Sequence, residues 1–340
     1  MLNDLKPLVV VLTLALIVFA LARPICLHFM EAQAFARRRN VWLGLTCAAF
    51  VAPNLWLYAA VALPLVYWAG RVDRHPTAVY LLLLLAVPPV RLPIPMPLIN
   101  QLFELSNFRI LELALLVPAA FRILGARDAG QRRPGKADLL LLAFGVLQLV
   151  LYMPYEAVTN TMRRAFLFML DTYALYFVFS RGAANREALR DTMCSFWLAC
   201  AIVAVIAVFE TLRGWLLFTG IPARWGVPNT FSWLLRGDSL RAQVSVGHSL
   251  TMGYVLAIAF GFWLYLGGRL ESTRNAWLVG IGLWLGLLAA YSRAPWLVAA
   301  LAGCIYMLAS PAGRRGLVRA VIGLVLIGVP FLMTPQGAHL

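Results

Sequence analysis

This chain has 340 residues, of which 62% are hydrophobic and only 13% charged, and its mean hydropathy is +0.81. A soluble domain would carry charge on about a quarter of its residues, so a soluble globular class is excluded. The net charge of +15 is almost all arginine, with lysine only at positions 6 and 136. In a soluble chain such charge would point to nucleic acid. Here the arginines fall between apolar blocks, as the positive-inside rule places them in cytoplasmic loops, so membrane lipids and no nucleic acid are expected around the protein.

The expected fold class is all-α: a single integral membrane domain over 1–340, a polytopic bundle of roughly 10–12 membrane helices judged by segment length. Backbone groups inside a bilayer must be satisfied within the segment, which favours helices. Residues 139–151 lack the alternation of a barrel strand. The first apolar segment, 8–22, ends Ala20-Leu21-Ala22, which mimics a signal-peptidase site. Asp4 beside Lys6 makes a poor leader, and the segment is read as an uncleaved first helix. Residues 41–70 have arginine on both flanks and are split at Pro53-Asn54 into a short hairpin, 41–53 and 54–70. One long tilted helix is the alternative and would reverse the side of the N-terminus. A segment over 77–90 follows. Prolines at 88, 89, 93, 95 and 97 then forbid helix, which makes 89–106 a Pro-rich periplasmic or re-entrant segment. Further helices are predicted over 107–121, 138–153, 164–180, 192–209, 246–267, 276–291, 294–310 and 317–333.

Arginine clusters at 37–39, 71 and 74, 122–133, 181–190, 269 and 274, and 314–319 mark the cytoplasmic side on this threading. The expected location is a bacterial inner membrane, with the active face periplasmic. The longest non-cytoplasmic loop, 210–245, breaks the charge rule: it holds Arg213, Arg224, Arg236 and Arg241 against Glu210 and Asp238. A bound anion is the expected reason.

Two predicted helix starts face that side. One is Arg241-Ala242-Gln243-Val244-Ser245-Val246-Gly247-His248; the other is Ser292-Arg293-Ala294-Pro295-Trp296, with Pro295 in a first turn and Ser292 as cap. An anion beside Arg241 and Arg293 would gain from both guanidinium groups and both helix N-termini, although interface arginines also serve simply to meet lipid head groups. If the helix already runs at 241, Arg241, Ser245 and His248 share one face, and His248 is a candidate general base. Asp171, mid-segment, is costly unless paired: either a functional carboxylate or one half of an ion pair with an arginine of another helix. Arg109 and Glu112, at i,i+3, can neutralise each other. Five scattered cysteines without a CxxC pair and four scattered histidines give no metal site. No Walker, GxSxG or HExxH sequence occurs, and no cofactor is expected.

At RAQVSVGHS (241–249) and YSRAPW (291–296) the chain resembles the bacterial O-antigen ligase and polymerase family. Those polytopic proteins carry an Arg-Ala-x-Gly-x-x-His/Asn-Pro-like stretch leading into one helix and a Ser-Arg-Gly-like turn one hairpin later. The likeness is firm over about 186–308 and fainter before it, and Ala294 replaces the glycine of the second motif. The resemblance implies metal- and nucleotide-independent glycosyl transfer from an undecaprenyl-pyrophosphate-linked glycan. The acceptor would be a sugar hydroxyl on lipid A–core or on a second lipid-linked glycan. Arg241 and Arg293, with Arg236 and Ser292 beside them, would hold the pyrophosphate. In ligases the base is a histidine in a large C-terminal periplasmic loop, which is missing before Leu340. The chain is then either C-terminally truncated, and inactive if so, or works without that loop, with His248 as substitute base. A lipid-linked glycan flippase or other secondary transporter centred on Asp171, and a non-catalytic partner of a polysaccharide synthesis complex, are the rival readings.

Overall fold

The computed structural model describes residues 2–96, 99–125, 135–229, 231–270 and 273–309. The protein is mostly helical. Four of its helices are long and apolar enough to cross a membrane: Leu5–Cys26, Leu55–Val72, Arg186–Arg213 and Ser249–Gly267. Exposed apolar side chains line their outer faces, among them Val9, Ile17, Trp56, Val61 and Ile258.

The chain opens with α1 (Leu2–Cys26), α2 (Ala32–Val51) and α3 (Leu55–Val72). The break between α2 and α3 falls at the proposed Pro53-Asn54 split. Proline cannot donate a backbone hydrogen bond, and the Asn54 side chain accepts from Leu57 N at 2.8 Å, the usual N-cap bond. The short α4 (Pro76–Leu84) stops before the proline run. The run itself forms β1 (Arg91–Met96), paired antiparallel with β2 (Ile99–Ser106). The Pro-rich segment is therefore a β-hairpin, a refinement of the re-entrant expectation: prolines that forbid helix are tolerated on a two-stranded edge.

Next come α5 (Asn107–Leu111), a wide π-turn at 112–116, α6 (Val117–Gly125), α7 (Lys136–Tyr152), α8 (Val158–Leu167), a second π-turn at 168–174 and α9 (Leu175–Gly182). The longest helix, α10 (Arg186–Arg213), is the central post. Its flanks are buried from Ala188 to Glu210 against α1, α4, α12 and α13. After it come α11 (Gly220–Trp225), a small hairpin of β3 (Leu235–Arg236) and β4 (Ser239–Leu240), α12 (Ser249–Gly267), α13 (Thr273–Ala289) and α14 (Arg293–Leu308). Helix α13 lies close on α10 because Gly286 faces Ala204: a Cβ at 286 would come within 2.6 Å of the Ala204 Cα. Each expected segment up to 294–310 overlaps a helix, although 77–90 is helical only as far as Leu84, while 317–333 lies outside the described residues.

The helices run between two ends. At one end Arg37 and Arg38 meet Asp73 and Asp191, Arg122 bonds the Gly70 carbonyl, and Arg181 pairs with Asp138. The connection between α10 and α12 packs on the other end. There the Ser245 hydroxyl donates to Leu85 O, and Trp225 Nε1 donates to Ala52 O at 3.0 Å.

Candidate functional site

The loop after α10 is organised by one carboxylate. Glu210, in the last turn of α10, is fully buried and accepts from three backbone N–H groups: Leu217 at 2.9 Å, Gln243 at 3.1 Å and Val244 at 3.0 Å. Residues near both ends of the loop are thereby tied to one point. A buried N–H without a partner would cost about 1–3 kcal/mol, so Glu210 decides the path of 241–248. Gln243, also buried, closes the loop on itself. Its amide donates to Ser232 O, and its oxygen accepts from Ser232 N at 3.4 Å. Glu210 shows in the sequence as an acid among apolar residues. Gln243 carries no such signal, since a glutamine inside a polar motif reads as solvated.

The arginines of this loop do not sit where helix-start reasoning places them. Arg241 Nε donates to Ala290 O at 3.2 Å and Arg236 Nη1 to Tyr291 O at 2.9 Å. The Ala242 N–H and the Thr211 hydroxyl both reach Ala289 O. Ala289 is the last residue of α13, and Ala290 and Tyr291 form the turn that leads from it to the Ser292 cap of α14. Arg224 likewise donates to Phe50 O at the C-terminal end of α2. The expectation that Arg241 lies at a helix N-terminus is thus corrected: whereas Arg293 does stand at the first position of α14, Arg241 hydrogen-bonds a carbonyl just past the C-terminal end of α13, the negative pole of that helix. That supplies a reason, other than a bound anion, for a basic loop on this side.

The same bonds nevertheless assemble the predicted residues. The turn that Arg236 and Arg241 grip runs straight into Ser292 and Arg293, so all four gather around 290–293. Arg241 spends only Nε on the carbonyl, and its terminal nitrogens have no partner among the described residues. Arg293 is exposed at the first position of α14, and Ser292 is buried at the cap position with extended backbone. The Ser292 side chain makes no cap hydrogen bond, contrary to the expected role.

Both motifs are strained. Among the described residues the non-glycine positions with left-handed φ are Val244 at +50° and Tyr291 at +46°, one in each motif. For a β-branched residue this is an outlier, and each such residue costs about 1–3 kcal/mol unless its surroundings enforce it. Glu210 enforces the first by holding Val244 N.

Two expectations for 241–248 fail for the same reason. Val244 and Gly247, at φ +79°, bend the backbone, so the helix starts only at Ser249. Arg241, Ser245 and His248 therefore share no helical face. Ser245 is buried on Leu85 O, while His248 is exposed on the residue before α12.

Sequence reasoning missed a second cluster, at the opposite end. Arg38, 3% exposed, is gripped by two carboxylates: Asp73 at 2.7 and 2.9 Å, and Asp191 at 2.5 and 2.8 Å. Ser195 accepts from it as well, Arg37 adds 3.0 Å to Asp73, and His75 Nδ1 lies 2.7 Å from Asp191. Burial alone would raise the Asp73 carboxyl, but Arg38, the His75 backbone N–H and Arg37 outweigh it and hold it below the usual carboxylate range. The available signal was an aspartate inside or beside two of the arginine clusters.

Asp171, in the second π-turn, forms an ion pair with Arg109 of α5 at 3.3 Å. This is the cross-helix pairing that the sequence left open. Arg109 also donates to the Glu104 carbonyl. No group of three or more histidine, cysteine or acidic side chains suited to a metal ion occurs among the described residues. Comparison with protein-family models, with curated proteins and with solved structures returns no match for this chain, so its own residues carry the functional argument.

Proposed function

We propose that this chain is a polytopic inner-membrane glycosyltransferase of the O-antigen ligase or polymerase type. On this reading it has roughly 10–12 membrane helices, a cytoplasmic arginine-rich end and a periplasmic site around 290–293. The observation that carries the reading is the convergence of the two strained motifs: Arg236, Arg241, Ser292 and Arg293 meet at one turn, with left-handed Val244 and Tyr291 beside them. Strain of this kind is kept where a backbone must present groups in a fixed geometry.

In this reading the carbonyl bonds of Arg236 and Arg241 orient their guanidinium groups, and the remaining donors face a pyrophosphate together with Arg293 and the start of α14. The acceptor hydroxyl oxygen forms the new bond to the anomeric carbon. The bond from that carbon to the pyrophosphate oxygen breaks, and undecaprenyl pyrophosphate leaves with the electron pair. The arginines stabilise its growing charge. The hydroxyl proton passes to a base, for which exposed His248, at the entry to α12, is the candidate. The transporter reading keeps one supporting observation, the polar group Arg109, Glu112 and Asp171 among apolar helices.

The test uses cells lacking the gene and complemented with variants, with surface polysaccharide and lipid-linked precursors measured side by side. Arg241→Ala and Arg293→Ala are each expected to abolish product at unchanged membrane levels. Single repeats left on the carrier would identify a polymerase, and long chains stranded on it a ligase. Full product from both variants overturns the site, and an unchanged profile in cells lacking the gene overturns the function.

A further inference from the structure

A polar cavity opens beside the β1–β2 hairpin, between α4, α5 and the two π-turns. Its volume is about 410 Å³, within the range of small-ligand pockets, about 300–1,000 Å³. Three acids, Glu104, Glu112 and Asp171, and two arginines, Arg91 and Arg109, line it, together with the rings of Tyr80 and Phe108. It connects to the 241–249 motif through α4: Leu84 lines the cavity, and the next residue, Leu85, accepts the Ser245 hydroxyl bond.

The cavity holds a buried carboxyl pair. Glu112 is only 5% exposed, and its Oε2 and Asp171 Oδ1 are buried with no donor group of the protein on them, the two carboxyl groups lying within hydrogen-bond reach of each other. Such a pair is costly to bury unless a proton or a ligand bridges it. Each of the two acids lies in a π-turn, the wide helical turn that recurs at functional sites.

The mixture of charges narrows the occupant. Arg91 and Arg109 disfavour a bare cation, and three carboxylates disfavour an anion. A ligand that both donates and accepts, and has an apolar face for the rings, meets every lining group. Sugar hydroxyls and the C–H face of a pyranose have that chemistry. We propose that this cavity is a glycan subsite, in which the Glu112–Asp171 carboxyl pair exchanges hydrogen bonds with hydroxyls of a sugar of the lipid-linked substrate. The proposal rests on the glycosyl-transfer reading above and adds to it where the sugar part is held.

Two ligands tested on the purified full chain by native mass spectrometry separate the readings. One is the lipid-linked glycan fraction extracted from cells lacking the gene, and the other is sugar-free undecaprenyl pyrophosphate. Glu112→Gln keeps the size of the side chain and replaces the carboxyl that pairs with Asp171 by an amide. It is expected to weaken the glycan-bearing lipid by about tenfold or more, as loss of a buried hydrogen-bond partner does, and to leave the sugar-free lipid unchanged. Equal binding of the glycan-bearing lipid by variant and wild type overturns the subsite, as does equal weakening of both lipids. Wild type binding neither lipid overturns the pyrophosphate site as well, whereas loss of the subsite alone leaves the sugar-free arm intact. Should Glu112→Gln not fold, carbodiimide labelling of Glu112 in the unaltered protein replaces it. Slower labelling with the glycan-bearing lipid only supports the subsite, and unchanged labelling overturns it.

Discussion

The two ends of the bundle use arginine in opposite ways. Arg38 is closed in by Asp73 and Asp191 with four nitrogen-to-carboxylate contacts between 2.5 and 2.9 Å. Arg236 and Arg241 meet no carboxylate among the described residues and give one nitrogen each to carbonyls of the turn that follows α13. A guanidinium saturated by two carboxylates is locked into the fold and has nothing left for a ligand. One that spends a single donor on a carbonyl is aimed but not consumed. The first arrangement joins α2, α3 and α10 at their base, and the second surrounds a strained turn that two motifs share.

The comparison breaks first, and with the largest effect, at Arg38. Arg38→Ala leaves two buried carboxylates without their cation, a loss of about 3–5 kcal/mol for a buried pair. Folded protein in membranes is expected to fall sharply, with thermal unfolding of whatever remains shifted well down. A variant with wild-type melting would mean that the network holds nothing together. Glu210→Ala comes next. It orphans three backbone N–H groups, at about 1–3 kcal/mol for each that water does not recover. The expected sign is local: limited proteolysis should open the loop between 214 and 243 while α10 stays protected. Unaltered cleavage would remove Glu210 as the organiser of the site.

The sequence was readable wherever a single residue type decides the outcome locally. Proline and asparagine at 53–54 set the α2–α3 break, apolar runs set the helices, and prolines excluded helix from 91–96. Long-range pairing was not readable. Nothing within 37–39 says that Arg38 meets Asp191 across α10, because 153 residues separate them. The helix start before Ser249 was misplaced because Val244 takes a left-handed φ that its side chain disfavours, held there by Glu210 from another helix. Of the candidate anion-site residues, Arg241, Ser292 and Arg293 come from the two motifs and Arg236 from the basic loop before them. That Arg236 and Arg241 bond the carbonyls of the turn after α13 depends on which helix end lies beneath them, and that is a tertiary fact.

Acidification sharpens the contrast from the other direction. Asp73 is held below its ordinary pKa, about 3.9. Its contribution to stability is therefore complete above that ordinary value and is lost as the pH falls through the lower, folded one. Between about pH 5 and pH 3 the melting temperature of the wild type should fall more steeply than that of Asp73→Asn, which has no such group to protonate. Parallel slopes would show that Arg38 does not hold the Asp73 proton off. The arginines at the 290–293 turn, bonded only to carbonyls, contribute no carboxylate titration to this difference.

The smallest expected stability effect lies at Arg236, and it separates a cap from a clamp. The side chain is exposed and makes one bond, to Tyr291 O, so Arg236→Ala should cost about 0.5–1 kcal/mol in unfolding. Lysine at this position can still place a positive charge on the end of α13, but it cannot offer the paired donors that a phosphate group takes from guanidinium. If Arg236 only caps the helix, Arg236→Lys restores both melting temperature and product. If it also grips a pyrophosphate, Arg236→Lys restores the melting temperature and leaves polysaccharide synthesis reduced. A lysine variant with full synthesis would assign Arg236 to the fold alone and leave Arg241 and Arg293 to hold the anion.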